Sequence, residues 1–187
     1  YQFNVKGNSH NLFGKRIKNI KTFLNDATNR GINMHLMYKG FKKTEKESDD
    51  IYLTEDEIKK MYKLDLSENE RLERVRDLFV VGCRTGLRHS DLVKIRKEDV
   101  SKEGIKFKVE KTEATLNTVI IEETQEILEK YNYELPKISR TNLNKYIKEI
   151  GELVGIDEIT YKDTYKAGKP VSIRLEKYKR ISSHTAR

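Results

Sequence analysis

Apolar side chains recur at Phe13, Ile17, Ile20, Phe23 and Leu24 within residues 12–30, with lysines and arginines between them, and this spacing predicts an amphipathic helix ended by Gly31. The following FKKTEKESDD, residues 41–50, has almost no apolar content and reads as a linker to a second unit. Thr54 with Glu57 forms a capping box that opens a helix over TEDEIKKMYKL. Ser67 and Glu70 repeat that spacing ahead of a longer helix whose Leu72, Val75, Leu78, Phe79 and Gly82 share one side. Gly86 should turn the chain, Arg88 follows at once, and HSDLVKI restarts helical turns that end near Arg96.

The period then changes. GIKFKVEKT alternates through Ile105, Phe107 and Val109, and NTVII supplies a second short strand, which together predict a β-hairpin with Lys111 near its tip. Helical spacing returns at Glu123 to Tyr131 and at Thr141 to Val154, the second stopped by Gly155. Residues 160–175, with Gly168 and Pro170 in the middle, read as another hairpin or an extended loop. Ser182 or Ser183 should cap a last helix starting at His184. The expected fold class is mainly α with a small antiparallel β-sheet, an α+β chain.

Charge refines this picture. Over 187 residues the formal net charge is +8, distributed as +8 in residues 1–43, −6 in residues 44–159 and +6 from residue 160 onward. Basic ends around an acidic middle suit a polyanion held from two directions, with nucleic acid as the default partner. Lys15, Arg16, Lys18, Lys42 and Lys43 are the candidate DNA contacts in the first basic segment. No apolar run reaches the ~20 residues that span a bilayer, and the first ten residues lack the charge-then-apolar pattern of a signal peptide, so an intracellular, cytoplasmic protein with no membrane partner is expected. The single cysteine, Cys83, sits in apolar LFVVGC as a small core residue. One cysteine and four scattered histidines show no metal-ligand spacing, and no metal or other cofactor is expected.

Three polar features carry chemistry: Arg88 after a helix-breaking glycine, Lys111 on a strand turn, and His184 with Arg187 three residues later. Two guanidiniums can grip the non-bridging oxygens of a phosphodiester under attack in bidentate fashion. A lysine near other cations can protonate a leaving sugar oxygen, and a histidine can bond the same phosphate. Lys108, Lys106 or Lys102 would take the place of Lys111 if the hairpin register slips.

At these residues the chain resembles the tyrosine recombinases of the phage integrase family. TGLRHSDL, residues 85–92, is similar to their first arginine box, VEKT, residues 109–112, to their hairpin lysine, and ISSHTAR, residues 181–187, to their His-x-x-Arg box. The wording is nearest to integrases of Bacteroides-type mobile elements and conjugative transposons. The resemblance implies Arg88 and Arg187 as phosphate clamps, Lys111 as general acid, His184 as phosphate ligand and proton-transfer group, and Asp91 as the acid that steadies Arg88. It also implies double-stranded DNA at specific recombination sites as partner, a 3′-phosphotyrosine intermediate, no cofactor, a bacterial cytoplasmic setting, and a tetramer of the parent on DNA. In the family the nucleophilic tyrosine follows the His-x-x-Arg box, whereas all ten tyrosines here precede it. The expectation is therefore a truncated, monomeric fragment without its nucleophile: residues 1–40 from the end of a helical core-binding domain, 41–53 a linker, and 54–187 a catalytic domain lacking its C-terminal part. A type IB topoisomerase-like strand transferase and a non-catalytic DNA-binding regulator are the alternatives.

Overall fold

The helix organising the larger unit is α3, Glu70–Thr85. Leu72, Val75, Leu78 and Phe79 are buried along the predicted face, but Val80, Val81 and Asp77 are buried as well, so α3 is covered on nearly every side. A computed structural model describes residues 10–42, 49–101, 104–108, 115–166 and 169–186. These divide into two units, the described parts of Tyr1–Asp49 with Tyr161–Arg174, and of Asp50–Thr160 with Leu175–Arg187.

In the first unit, α1 spans His10–Asn29 and Gly31 follows with φ 72°, as the glycine stop predicts. A short 3-10 helix, Met37–Gly40, is tied back to α1 by Tyr38, whose hydroxyl donates to Asn25 Oδ1 at 2.8 Å. Lys21 Nζ adds bonds to the carbonyls of Lys39 and Phe41. The apolar face expected of α1 is only partly covered: Ile20 is 58% exposed and Phe23 72%.

In the second unit, α2 (Glu55–Lys63) opens on the predicted capping box, with Thr54 Oγ1 accepting from Glu57 N–H and Glu57 accepting from Thr54 N–H. The repeat of that device at Ser67 does not form. Asn69 caps α3 instead, accepting from Leu72 N–H, while the Ser67 N–H is taken by Asp65 Oδ1. Gly86 ends α3 in the left-handed conformation, φ 64°. The restarted helix is shorter than its sequence suggests: α4 covers only His89–Leu92, then a 3-10 turn at Lys97–Asp99 leads into the sheet.

The sheet runs β1 (Val100–Ser101), β2 (Gly104–Lys108) and β3 (Thr115–Thr118), all antiparallel, in register Ile105↔Thr118 and Lys108↔Thr115. The predicted hairpin is thus present, with its second strand shifted so that Val119 and Ile120 follow it. Gly104, at φ 141°, is required there, because a Cβ would stand 2.1 Å from the Thr118 carbonyl oxygen.

Helix α5 (Glu122–Lys130) and α6 (Arg140–Leu153) pack on α3. Strands β4 (Ile159–Lys166) and β5 (Lys169–Glu176) form a separate two-stranded sheet whose larger part, the described residues of Tyr161–Arg174, belongs to the first unit, and a 3-10 helix of the second unit, Lys177–Arg180, packs on α6. The core of this unit joins Met61, Phe79, Leu128, Ile147, Ile150 and Ile181. Asp77 is fully buried among them, but Lys130 Nζ at 2.7 Å, Tyr131 Oη at 2.9 Å and Arg76 at 2.8 Å surround its carboxylate. Among the described residues no helix is long and apolar enough to cross a membrane. The mainly α, α+β class expected from the sequence is the class observed, with two small sheets rather than one.

Candidate functional site

Arg88 stands where α3 has ended and α4 begins, in extended conformation as the residue before α4. Its side chain is one-third exposed, and Nη1 lies 4.0 Å from Asp91 Oδ2. Asp91 is not the solvated acid of an exposed turn: it is 2% exposed, and Oδ2 is buried without a hydrogen-bond donor. A carboxylate oxygen held in that state attracts a nearby guanidinium, so Asp91 biases Arg88 toward its own side of α4.

The His184 segment is held beside this corner by small residues. A Cβ on Gly82 of α3 would meet Leu92 Cδ1 at 3.2 Å and Ala186 Cβ at 3.4 Å, so glycine lets both α4 and the last turn approach α3. Residues 183–186, the last ones described, form a turn where the predicted helix would start: Thr185 N–H donates to the Ser182 carbonyl, and His184 N–H donates to Ser182 Oγ at 3.3 Å. Ser182 therefore organises the segment as expected of a cap, but within one turn. Asn144 on α6 accepts the Ser183 N–H at 2.7 Å and fixes that turn from the other side. The His184 side chain is exposed, and the backbone around it is held.

The strand hairpin reaches the same corner, since Thr118 Oγ1 on β3 donates to the Thr85 carbonyl at the end of α3, 3.2 Å away. Lys111 and Arg187 lie outside the described residues, as does Lys43. Of the alternative lysines, Lys106 is exposed on β2. Lys15, Arg16 and Lys18 are exposed on α1 of the first unit, and Lys42 is exposed after its 3-10 helix.

No family model matches this chain and no curated protein does. Among solved structures it is similar to a crystal structure of XerA recombinase, with 16% identity and a TM-score of 0.48 over 99% of this chain and 61% of that one. The chain thus spans about 61% of the length of that structure.

Three residues that the sequence did not mark as part of the site support it. His89 Nε2 is 2.8 Å from the Ile138 carbonyl oxygen, tying α4 to the segment that leads into α6. Asn144 carries no periodic signal, being one polar residue among many on its helix. Arg84 reads as a surface residue because it matches no motif, yet its side chain is only 10% exposed. Its Nη1 is 2.5 Å from Glu55 Oε2, and Nη2 is 2.7 Å from Glu123 Oε2 but outside hydrogen-bonding geometry. The Glu55 hydrogen bond raises the guanidinium pKa further. Arg84 thereby clasps the starts of α2 and α5 to the end of α3, directly before Gly86 and Arg88. A signal was available for Gly82: glycine inside a helix costs about 1 kcal/mol against alanine, and a close neighbour is the usual reason to keep one.

Among the described residues no group of His, Cys, Asp or Glu is placed to hold a metal ion. The arrangement on view is one for oxyanions: a guanidinium backed by a buried carboxylate, beside a held histidine turn.

Proposed function

We propose that the chain is part of a tyrosine-type site-specific DNA recombinase, serving the integration or excision of mobile DNA in the bacterial cytoplasm. The observation that carries this reading is the packing of the Ser-Ser-His-Thr-Ala turn and the arginine box on the same glycine, Gly82, with Asn144 fixing the turn. Motifs nearly a hundred residues apart in sequence need such a meeting point if both are to touch one phosphate.

In this reading Arg88 and Arg187 bind the non-bridging oxygens of the scissile phosphodiester and stabilise the charge that gathers there. His184 bonds the same phosphate. A tyrosine hydroxyl attacks phosphorus as its proton passes to His184, the bond to the 5′ oxygen breaks, and Lys111 supplies the proton that makes the leaving oxygen a hydroxyl. The product is a 3′-phosphotyrosine, and attack by another 5′-hydroxyl reverses the step to join new partners. Asp91 orients Arg88, and Lys15, Arg16, Lys18, Lys42 and Lys43 contact backbone phosphates. The parent works as a tetramer on paired sites.

The test uses the full natural protein, whose nucleophile the resemblance places after the His-x-x-Arg box. A suicide duplex bearing the recombination-site sequence should give a covalent, detergent-resistant adduct that Arg88→Ala abolishes. An adduct that persists in Arg88→Ala, or none on any natural site, overturns the reading in favour of a non-catalytic DNA-binding role.

A further inference from the structure

The helix that follows Arg88 is a single turn, too short to fix its own direction. Within α4 the Asp91 and Leu92 N–H groups both donate to the Arg88 carbonyl, at 2.8 and 2.9 Å, and so small a ladder leaves the orientation of the turn to its outside contacts. One of these lies at its end, where buried Leu92 packs in the room that Gly82 leaves on α3. Apolar packing has no direction, so this contact by itself leaves α4 free to pivot about Leu92.

A second contact lies at its start. His89 is half-buried, with Nε2 2.8 Å from the Ile138 carbonyl oxygen. A carbonyl oxygen only accepts, so Nε2 carries the proton and the imidazole donates. The next residue, Ser139, caps α6: its hydroxyl accepts from the Asn142 N–H at 3.2 Å and its carbonyl from the Leu143 N–H at 2.9 Å. The acceptor of His89 is therefore built onto the capped start of a helix whose Leu143, Ile147 and Ile150 are anchored in the core. Asn144, in the first turns of the same helix, holds the Ser183 N–H. One rigid element thus bonds to both halves of the candidate site, to the residue after Arg88 and to the residue before His184.

We propose that His89 is a positioning residue, which sets the direction of Arg88 by registering α4 against the start of α6, as Asn144 registers the histidine turn against the same helix. The proposal rests on the recombinase reading for the reaction that Arg88 serves, and it places no atom of His89 on the substrate. A phosphate gripped by a guanidinium and an imidazole needs the two at a fixed separation, and a misplacement of about 1 Å can cost about a hundredfold in rate. Two directional bonds to one helix supply that separation, which the apolar contact at Gly82 leaves open.

The test compares His89→Phe, which keeps a planar ring and removes the donor, with His89→Gln, whose amide nitrogen can stand where Nε2 does. In the full natural protein at saturating suicide duplex, the rate constant of adduct formation should fall about 10- to 100-fold in His89→Phe, with duplex affinity within about threefold of wild type. His89→Gln should recover most of the rate. In the 187-residue chain, amide exchange at Asp91 and Leu92 should quicken about tenfold in His89→Phe and return to the wild-type rate in His89→Gln. His89→Asn, whose amide falls one methylene short, should behave as His89→Phe does and replaces it if the phenyl ring lowers the melting temperature.

Equal losses in the glutamine and phenylalanine variants would overturn the proposal by making the imidazole itself the needed group. Weakened duplex affinity with an unchanged rate constant would overturn it by putting His89 on DNA. An unchanged rate constant in His89→Phe, or wild-type exchange at Asp91 and Leu92, would overturn it while leaving the recombinase reading intact. No adduct from the wild type would remove the recombinase reading, and the exchange at Asp91 and Leu92 would then decide by itself whether His89 orients α4.

Discussion

Asn144 Oδ1 accepts the Ser183 N–H at 2.7 Å, joining the middle of α6 to the residue before His184. The bond crosses 39 residues of sequence, including both strands of the two-stranded sheet, and holds the histidine turn by its backbone. The side chain of His184 itself is exposed.

Asn144→Ala should leave the Ser183 N–H without its acceptor and cost about 1 to 2 kcal/mol of stability. The more telling measurement is amide hydrogen exchange, in which Ser183 should lose protection while amides in the middle of α3 keep theirs. In the full protein, adduct formation should fall well beyond what the lost stability explains. Unchanged exchange at Ser183 would mean that the turn is held without Asn144.

Gly151→Ala should destabilise the second unit although alanine is the better helix former. A Cβ there would stand 2.9 Å from both Tyr178 Cβ and Ile181 Cδ1, so overpacking of about 1 to 3 kcal/mol opposes a propensity gain of about 1 kcal/mol. Denaturant titration decides the sign. A stabilised variant would show that the Lys177–Arg180 segment yields easily.

The Glu57–Lys177 pair predicts a pH dependence. Burial pushes the Glu57 carboxyl up, but its bonds from Lys177 Nζ at 2.8 and 2.9 Å and from the Thr54 N–H outweigh that and hold it below the ordinary 4.5. Its folded pKa is depressed, so its contribution is present above the unfolded value and is lost as pH falls through the folded one. Burial pulls Lys177 down, yet Glu57 and Glu158 raise it above 10.5, so its contribution is present below that value and is lost as pH rises through the folded pKa. Lys177→Met should cost about 2 to 3 kcal/mol at neutral pH and flatten the acid limb of the stability curve below about pH 4.5. An acid limb as steep as that of the wild type would remove Glu57 from the account.

Cys83 should be inert in the folded protein. Its burial pushes the thiol up to about 12, against some opposition from the charge on Arg84. At pH 8 its reaction with a thiol reagent should be slower than that of a free cysteine on the order of a thousandfold, with the full rate returning in denaturant. Rapid labelling without denaturant would show that the end of α3 opens readily.

Much of this architecture was legible in local chemistry. The Thr54–Glu57 capping box, the left-handed stops at Gly31, Gly86 and Gly155, and the change of period from α3 into β2 each depend on a few neighbouring residues. Such signals act over one or two turns and survive whatever packs around them. Where two local devices competed, the sequence alone did not choose: Ser67 and Asn69 are both good caps, and Asp65 took the Ser67 N–H. Contacts between distant segments, Leu92 and Ala186 against Gly82 and Asn144 against Ser183, were written in no single stretch of sequence.

For the candidate site, the sequence by itself determined which residue types were available and in what order: Arg88, Lys111, His184 and Arg187, with Asp91 one helical turn after the first. Only the tertiary structure decided that the arginine corner and the histidine turn share one glycine, that Asp91 is buried, and that Arg84 is clasped between two glutamates. Burial and ion pairing depend on position in space, whereas a charge summed along the chain weights every carboxylate alike.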